Sequence, residues 1–567
     1  MKNYIAIIFA SLLACACVDT VILPDDKTVD EDFWQTKGDV SLIVNGAYHT
    51  MISSDVISRL VVWGDFRSDE LIRESSISNS NATAMALTEI EAANISTTNA
   101  FSNWSALYSV INYCNIVLDK SQAVMSIDPS YTEGDYLADR SQMLALRALV
   151  HFYLVRVFRD IPYATQAYMN SSQELNLPQS APDSVLTACL ADLEEAEKNA
   201  IAPDAYTNWR RTGWFNRDGI RALMADIYLW RASVNHSFAD YQKCVNYCDE
   251  IIESKKNQHR VGRLNTEEAE YPLVDGLQAY QDLFVNQNAE ESILELQCDG
   301  RYNSNTGLCQ MLYKYASNTS TSGYVKASQA MSSNTVYPKY SNDLRYWQNV
   351  YNPVPGSPDV ADVRKMIATN NRTQLSAEKR DASRTYANFA QNFILYRLSD
   401  IMLMKAEALT QLAADDKDIA LRQAFNLVQA VYSRSLSTKG DSITWGSTGY
   451  SKTAMEDMVL QERLRELCFE GKRWYDLMRY NYRHMEGVDY STTLFQQAEK
   501  GANFAQNYNQ MLNLMIRKYS SGGASVAAKM RTEPYLYMPI LQSEMDVCPM
   551  LVQNPVYESS KQFEKNY

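Results

Sequence analysis

The chain has 567 residues, of which 46% are hydrophobic and 21% are charged, so it can bury a large core. This composition excludes a disordered or fibrous protein. The formal net charge of −14 argues against binding to nucleic acid or to an anionic membrane surface through charge, since both require clustered cations. A neutral or cationic ligand fits this charge better.

The N-terminus carries a short apolar segment that is typical of a secretory signal. Lys2 precedes an apolar run over residues 4–14, which is too short to span a bilayer as a stable helix. The run ends in LLACAC, an order that resembles a bacterial lipobox. We therefore expect residues 1–16 to be a signal peptide with lipobox and Cys15 to carry lipid, with Cys17 as the alternative. An ordinary cleaved signal, without lipid, is the other interpretation.

Helical periodicity dominates the remaining chain and predicts a mostly α fold. Apolar residues recur at spacings of three and four in the segments 37–54, 102–121, 135–158, 182–199, 217–234, 239–254, 391–413, 417–434 and 452–479. Several segments carry small residues before a large one, as Ala145 and Ala148 precede Tyr153, which lets a second helix approach closely. This pattern predicts about four tetratricopeptide-like helical hairpins.

The domain organisation follows from the absence of any linker rich in Pro, Gly and Ser. We expect residues 17–567 to form one body, with an N-terminal portion of about 32–260 and a C-terminal portion of about 270–567. Two stretches, roughly 73–101 and 298–390, lack helical periodicity and are rich in Asn, Ser, Thr and Tyr. Long irregular loops are usually functional, so we expect these two to face the ligand, although plain surface decoration is the alternative.

A binding surface for a neutral ligand needs flat aromatic rings for the apolar faces of the ligand, and side chains that form hydrogen bonds with its polar groups. Tyrosine is abundant, at 37 residues, and suits recognition surfaces because few rotamers are lost on contact. Trp104 instead belongs to a helical apolar stripe and is assigned to the core, whereas Trp209 and Trp214 are ambiguous. From the irregular stretches we predict stacking by Tyr302, Tyr313, Tyr315, Tyr324, Tyr340 and Trp347, and hydrogen bonding by Asn81, Asn303 and Arg345.

The sequence contains no recognisable catalytic constellation, metal site or cofactor motif. Glu462, Glu466 and Glu470 repeat every four residues among arginines, which predicts structural ion pairs, whereas a glycosidase needs two carboxylates that face each other across a cleft. Cys244 and Cys248 share a helical face but have no further ligands nearby. A second charged cluster consists of Asp65, Arg67, Asp69 and Glu70. We predict that it forms ion pairs that fix an N-terminal loop; a role in an interface or in ligand binding is the alternative.

Several blocks, read in order, resemble the signatures of the SusD/RagB family and span most of the chain. The most distinctive are LQERLRELCFEGKRWYDLMRY at 460–480 and YLYMPILQSEMDVCPMLVQNPVY at 535–557. Earlier blocks include WGDFRSDEL at 63–71, and the others lie at 32–51, 144–163, 222–233 and 396–409.

The resemblance implies a SusD-like α-helical fold in a lipid-anchored protein of the outer membrane that faces the cell surface. It also implies a non-catalytic role, in which the protein binds an oligosaccharide or polysaccharide and delivers it, as a lid, to a SusC-like TonB-dependent transporter. A peptide ligand, as in the RagB branch, is the main alternative, and a secreted glycoside hydrolase is the third hypothesis.

Overall fold

A computed structural model of the protein describes residues 33–170, 173, 176–262, 271–313, 323–332, 336–337, 342–350, 362–369, 384, 388–501 and 503–557. Within these residues the fold is mostly α-helical, which confirms the predicted class. The signal and lipobox, with Cys15 and Cys17, lie outside the described residues, as do Tyr315 and Tyr340.

The helices are labelled in chain order. Helices α1 to α6 are Lys37–Met51, Ser54–Val61, Ala82–Glu91, Ser105–Val124, Glu133–Phe158 and Pro182–Lys198. Helices α7 to α12 are Arg210–Gly213, Arg217–Asn235, Phe238–Gly262, Gly276–Tyr280, Thr306–Leu312 and Leu344–Asn349. Helices α13 to α20 are Leu398–Leu412, Ile419–Arg434, Lys452–Leu467, Arg473–Arg483, Leu494–Glu499, Asn509–Met515, Gly523–Lys529 and Gln542–Val547. Two π-helical turns are Val62–Phe66 and Gln281–Asn286.

The strands are short and form antiparallel pairs. Strands β1 to β6 are Leu71–Arg73, Ile161–Pro162, Gln179–Ser180, Ser292–Leu296, Val325–Ala327 and Phe393–Arg397. Strand β1 pairs with β5, β2 with β3, and β4 with β6. In the first pair Leu71 lies opposite Ala327, so residues far apart in the chain meet at this sheet.

The core is built from helices that pack on their neighbours in the chain. Helix α5 begins at a capping box in which the Thr132 and Asp135 side chains bond to each other's backbone N–H, and every residue from Ser141 to Phe158 is buried. It packs against both α4 and α6, while α8 packs on α9 and α13 on α14. Trp104 is 4% exposed, which confirms its assignment to the core. These packed pairs of consecutive helices fit the predicted hairpins, whose tetratricopeptide-like character stays a prediction.

Two long predicted segments are each divided in the structure. The segment 391–413 contains strand β6 before helix α13, because a short, fully buried apolar run has the same periodicity in a strand and in a helix. The segment 452–479 is broken between α15 and α16, where Phe469 and Gly471 adopt positive φ angles of 64° and 74°. The first irregular stretch also contains helix α3, which is capped by the Asn81 side chain.

None of the helices within the described ranges is long and apolar enough to cross a membrane.

Candidate functional site

The three spaced glutamates are ion-paired and buried, as predicted. Glu462 lies 2.6 Å from Arg345 and 2.9 Å from Arg465, and Glu466 lies 2.6 Å from Arg397. Glu470 also pairs with Arg397, at 2.8 Å. Most of these partners come from distant segments and not from the same helix. Their carboxylates are thus saturated by cations and do not face one another across a cleft, as a glycosidase would require.

The charged cluster near the N-terminus holds the turn between α15 and α16. Asp69 accepts two hydrogen bonds from the Arg473 guanidinium, at 2.8 and 3.0 Å, which confirms the predicted ion pairing. The Arg67 guanidinium donates to the carbonyl of Leu536 at 2.7 Å and lies over the ring of Trp474. This cluster is therefore part of the protein framework.

Two buried carboxyls of this cluster lie against each other beneath the same turn. Asp65 accepts the backbone N–H of Gly471 at 2.9 Å, and Glu70 accepts that of Phe469 at 3.0 Å. Burial raises the pKa of Asp65 to about 7, and burial together with the charge of Asp65 raises the pKa of Glu70 well above its usual range. Glu70 therefore favours its protonated form at neutral pH.

We predict that Glu70→Gln makes unfolding less sensitive to pH. The unfolded chain releases the Glu70 proton above its ordinary pKa while the folded chain retains it, so this group makes the wild type less stable as pH rises. A glutamine has nearly the same shape as the protonated carboxyl and has no proton to lose. Urea unfolding measures this effect. Between about pH 5 and 8, the free energy of unfolding of the variant should rise relative to that of the wild type by up to about 1.4 kcal/mol per pH unit. If the free energies of unfolding of the two proteins changed equally with pH, the claim that folded Glu70 retains its proton would be contradicted.

The two irregular stretches meet at the sheet formed by β1 and β5, so the residues predicted from each lie on neighbouring segments. The Asn81 Nδ2 donates to the Tyr324 hydroxyl at 3.2 Å, while its Oδ1 accepts the N–H of Ala84 at 3.1 Å. Asn81 thus caps helix α3 and orients the Tyr324 ring with the same side chain. Of the predicted residues, these two form a direct pair.

Tyr302 is presented to solvent by a tight turn. The Asp299 carboxylate accepts the backbone N–H groups of Arg301, Tyr302 and Asn303 at 2.8 to 2.9 Å, and these bonds lower the pKa of Asp299. The Tyr302 side chain is 77% exposed, and the Arg301 guanidinium lies 5.1 Å from the centre of its ring. No role for Arg301 was predicted from the sequence, although its position next to Tyr302 could have indicated one. The turn therefore holds a ring, an amide and a guanidinium together at the surface.

Helix α11 separates the Tyr302 turn from the pair of Asn81 and Tyr324. Asn305 caps its N-terminus, and the Tyr324 N–H donates to the carbonyl of Gln310 in its last turn at 3.1 Å. Seven helical residues span about 10 Å. A ligand with several sugar rings is long enough to contact both groups. We call Asn81, Arg301, Tyr302, Asn303 and Tyr324 the tyrosine surface.

Two other predicted residues are buried, which corrects the expectation that they face a ligand. Tyr313 is buried, with its ring edge-on to Phe389. Arg345 is buried because its guanidinium is the partner of Asp343 and of the spaced glutamates. Trp347 is half-buried, with its ring edge-on to Tyr346, so its contact with a ligand stays a prediction. Both buried residues lie in a polar stretch of the sequence, which gave no indication of these long-range contacts.

Two family models match the chain along different parts. The model described as the SusD family matches residues 291–557, and that described as "Starch-binding associating with outer membrane" matches residues 26–229. The chain is 24% identical to SusD-like protein P38 of Formosa agariphila, over 85% of this chain and 92% of that protein.

Solved structures of SusD-like proteins share the fold. A SusD homologue from Bacteroides thetaiotaomicron covers 93% of this chain, with 98% of its own length, at a TM-score of 0.67 and 18% identity. A laminarin-binding SusD-like protein covers 92% of this chain, with 100% of its own length, at a TM-score of 0.61 and 19% identity. The two family models together match most of the chain, and they identify it as a member of the SusD/RagB family.

Proposed function

We propose that this protein binds a glycan at the tyrosine surface and does not cleave it. The observation that carries the proposal is the Tyr302 ring, which is 77% exposed and is held beside amide and guanidinium groups by the Asp299 turn. Exposed aromatic rings beside convergent polar groups are typical of recognition sites. The starch-binding description of one matching family, and the laminarin-binding structural neighbour, support a carbohydrate as the ligand class.

The chemistry of the tyrosine surface favours a neutral glycan. A sugar ring would stack on Tyr302, while its hydroxyls would bond to Asn303 and Arg301. Asn81 and the Tyr324 hydroxyl supply a second set of polar groups beyond helix α11. The net charge of −14 disfavours anionic polymers at long range.

Tyr302→Ala is predicted to weaken glycan binding about two- to tenfold, which corresponds to the loss of roughly 0.5–1.5 kcal/mol of ring contact. The side chain is exposed, so the variant should unfold at the same urea concentration as the wild type. Tyr302→Phe is the matched control and should retain stacking. Equal affinity of all three proteins for neutral oligosaccharides, measured by calorimetry, would exclude this surface as the binding site.

We further propose that residues 1–16 direct export, that Cys15 or Cys17 carries lipid, and that the body over 17–567 faces the cell surface at the outer membrane. There it would act as a lid for a SusC-like TonB-dependent transporter. The lipobox-like order LLACAC and the outer-membrane description of the matching family support this proposal.

Lipid labelling in cells tests the anchor and distinguishes the two cysteines. Cys15→Ser should abolish labelling if Cys15 is the acceptor, while Cys17→Ser should leave it unchanged; the reverse result would assign Cys17. Labelling that survives the double variant would contradict the anchor. For the lid, the transporter should co-purify with this protein, and deletion of the protein should reduce glycan uptake.

A further inference from the structure

A second group of aromatic rings lies around the short helix α7. The ring centres of Tyr206 and Trp214 are 5.8 Å apart, and those of Trp209 and Trp214 are 6.0 Å apart, with near-perpendicular planes in both pairs. The Arg210 guanidinium lies 4.7 Å from the Trp214 ring and 5.5 Å from the Trp209 ring. Trp209 is 45% exposed, which is unusual for a tryptophan in a cluster. We call these four residues the tryptophan surface.

The local backbone fixes the orientation of Trp209. Its carbonyl accepts the N–H of Gly213 at 2.8 Å, which closes the single turn of α7. A Cβ on Gly213 would lie 2.8 Å from the Trp209 ring and 2.6 Å from the side chain of Gln297. The ring is therefore packed against a position that only glycine can occupy, so it is held in place before any ligand arrives.

A cavity of about 1090 Å³ adjoins this surface. Tyr206 links this surface to the cavity, which is also lined by Arg211 and by polar side chains of helix α9, among them Asn257 and Gln258. The Tyr206 ring and these amide and guanidinium groups supply both the stacking face and the hydrogen-bonding groups that a sugar needs. The cavity is large enough for more than one sugar ring.

Five carboxylates and three lysine or arginine side chains line this cavity, so its charge is net acidic and disfavours anionic ligands. Two of the lining carboxylates are neutralised, since Asp249 lies 2.5 Å from Lys405 and Glu250 lies 3.0 Å from Arg221. Asp204 and Glu253 also line the cavity and form no ion pair within the described ranges of the chain. These two carboxylates would repel sulfate and uronate groups.

The tryptophan surface lies close to the tyrosine surface along the chain. Gln297, whose side chain contacts the position of Gly213, precedes Tyr302 by five residues. Five residues span at most about 17 Å. A glycan of several sugar rings is therefore long enough to span this separation.

We infer that the tryptophan surface and its cavity form a second carbohydrate subsite, which binds an uncharged segment of the same glycan chain. This inference rests on the proposed function, because it takes its ligand class from there. Two subsites on one chain raise the affinity for long ligands through effective concentration, without any change in either subsite.

Affinity electrophoresis of the purified full chain in gels containing laminarin, soluble starch or mannan tests the inference. For the neutral polymer that retards the wild type, Trp209→Ala combined with Tyr206→Ala should weaken binding about tenfold. Phe238→Ala is the matched control, since Phe238 is 62% exposed and belongs to neither surface. Dextran sulfate should retard none of these proteins.

The same two substitutions, made in a chain that already carries Tyr302→Ala, distinguish the second subsite from the proposed binding at the tyrosine surface. In a chain that carries Tyr302→Ala, residual retardation should persist and should disappear when Trp209→Ala and Tyr206→Ala are added. The inference is overturned if those two changes leave retardation unaltered in both backgrounds while the wild type binds, and the proposed function then stands. If no neutral polymer retards the wild type, the proposed function and the inference fail together.

Discussion

Gly64→Ala is expected to destabilise the protein by about 4 kcal/mol or more, or to prevent folding. Gly64 lies in the π-helical turn Val62–Phe66, where its Cα faces the backbone of Gly471. A Cβ at this position would collide with the carbonyl group of Gly471, which cannot move aside because Asp65 and Glu70 hold the same turn through backbone hydrogen bonds. The methyl group must therefore displace the segment that joins α15 to α16.

Gly46→Ala is the matched control for this prediction. Gly46 lies within helix α1, and nothing lies within 4 Å of the Cβ that it would gain. Alanine is favoured over glycine inside a helix by roughly 0.5–1 kcal/mol, so this variant should be slightly more stable than the wild type. Urea unfolding followed by circular dichroism measures both variants. Equal stability of Gly64→Ala and the wild type would contradict the close backbone contact.

Glu466→Gln is expected to lower the free energy of unfolding by about 3–5 kcal/mol, the range for breaking a buried ion pair. The Glu466 carboxylate is buried and contacts the guanidinium groups of Arg345, Arg397 and Arg434. These three cations hold the pKa of Glu466 well below its usual range despite burial. An amide offers them no negative charge, so these three buried cations would lose a carboxylate that they share, and their other partners would compensate them only in part.

Glu195→Gln provides the comparison at the surface. Glu195 lies 2.8 Å from Lys198 in an exposed pair on helix α6, so its neutralisation should leave the unfolding midpoint unchanged. A stable Glu466→Gln variant would contradict the structural role of the carboxylate. If that stable variant also lost a hydrolytic activity of the wild type, the glycoside hydrolase hypothesis would gain support.

Local periodicity predicted the helices well but could not predict which charged groups meet. The segment 182–199 was predicted within one residue of helix α6, because its apolar positions repeat regularly around one face. Arg345 was predicted to face a ligand because it lies in a polar stretch, whereas its partner Glu462 is 117 residues away in the chain. No local pattern encodes a contact at that separation.

Exposure of aromatic residues was equally hard to predict. Tyr302 and Tyr313 both lie in the second irregular stretch, but the first sits at the tip of a turn and the second at the buried end of helix α11. Trp209 and Trp214 were ambiguous for the same reason, since a ring suits both a core and a binding surface. The tertiary fold, and not residue type, determines which rings are free to contact a ligand.

Calorimetric titration of the purified protein with laminarin, starch and mannan oligosaccharides, alongside mixed peptides, tests the central claim most directly. We predict heat of binding with at least one glycan, no heat with peptides, and no shortening of the glycan on later chromatographic analysis. Binding to peptides alone would contradict the proposed ligand class and favour a RagB-like role. Release of shorter glycans would contradict the claim that the protein binds without cleaving.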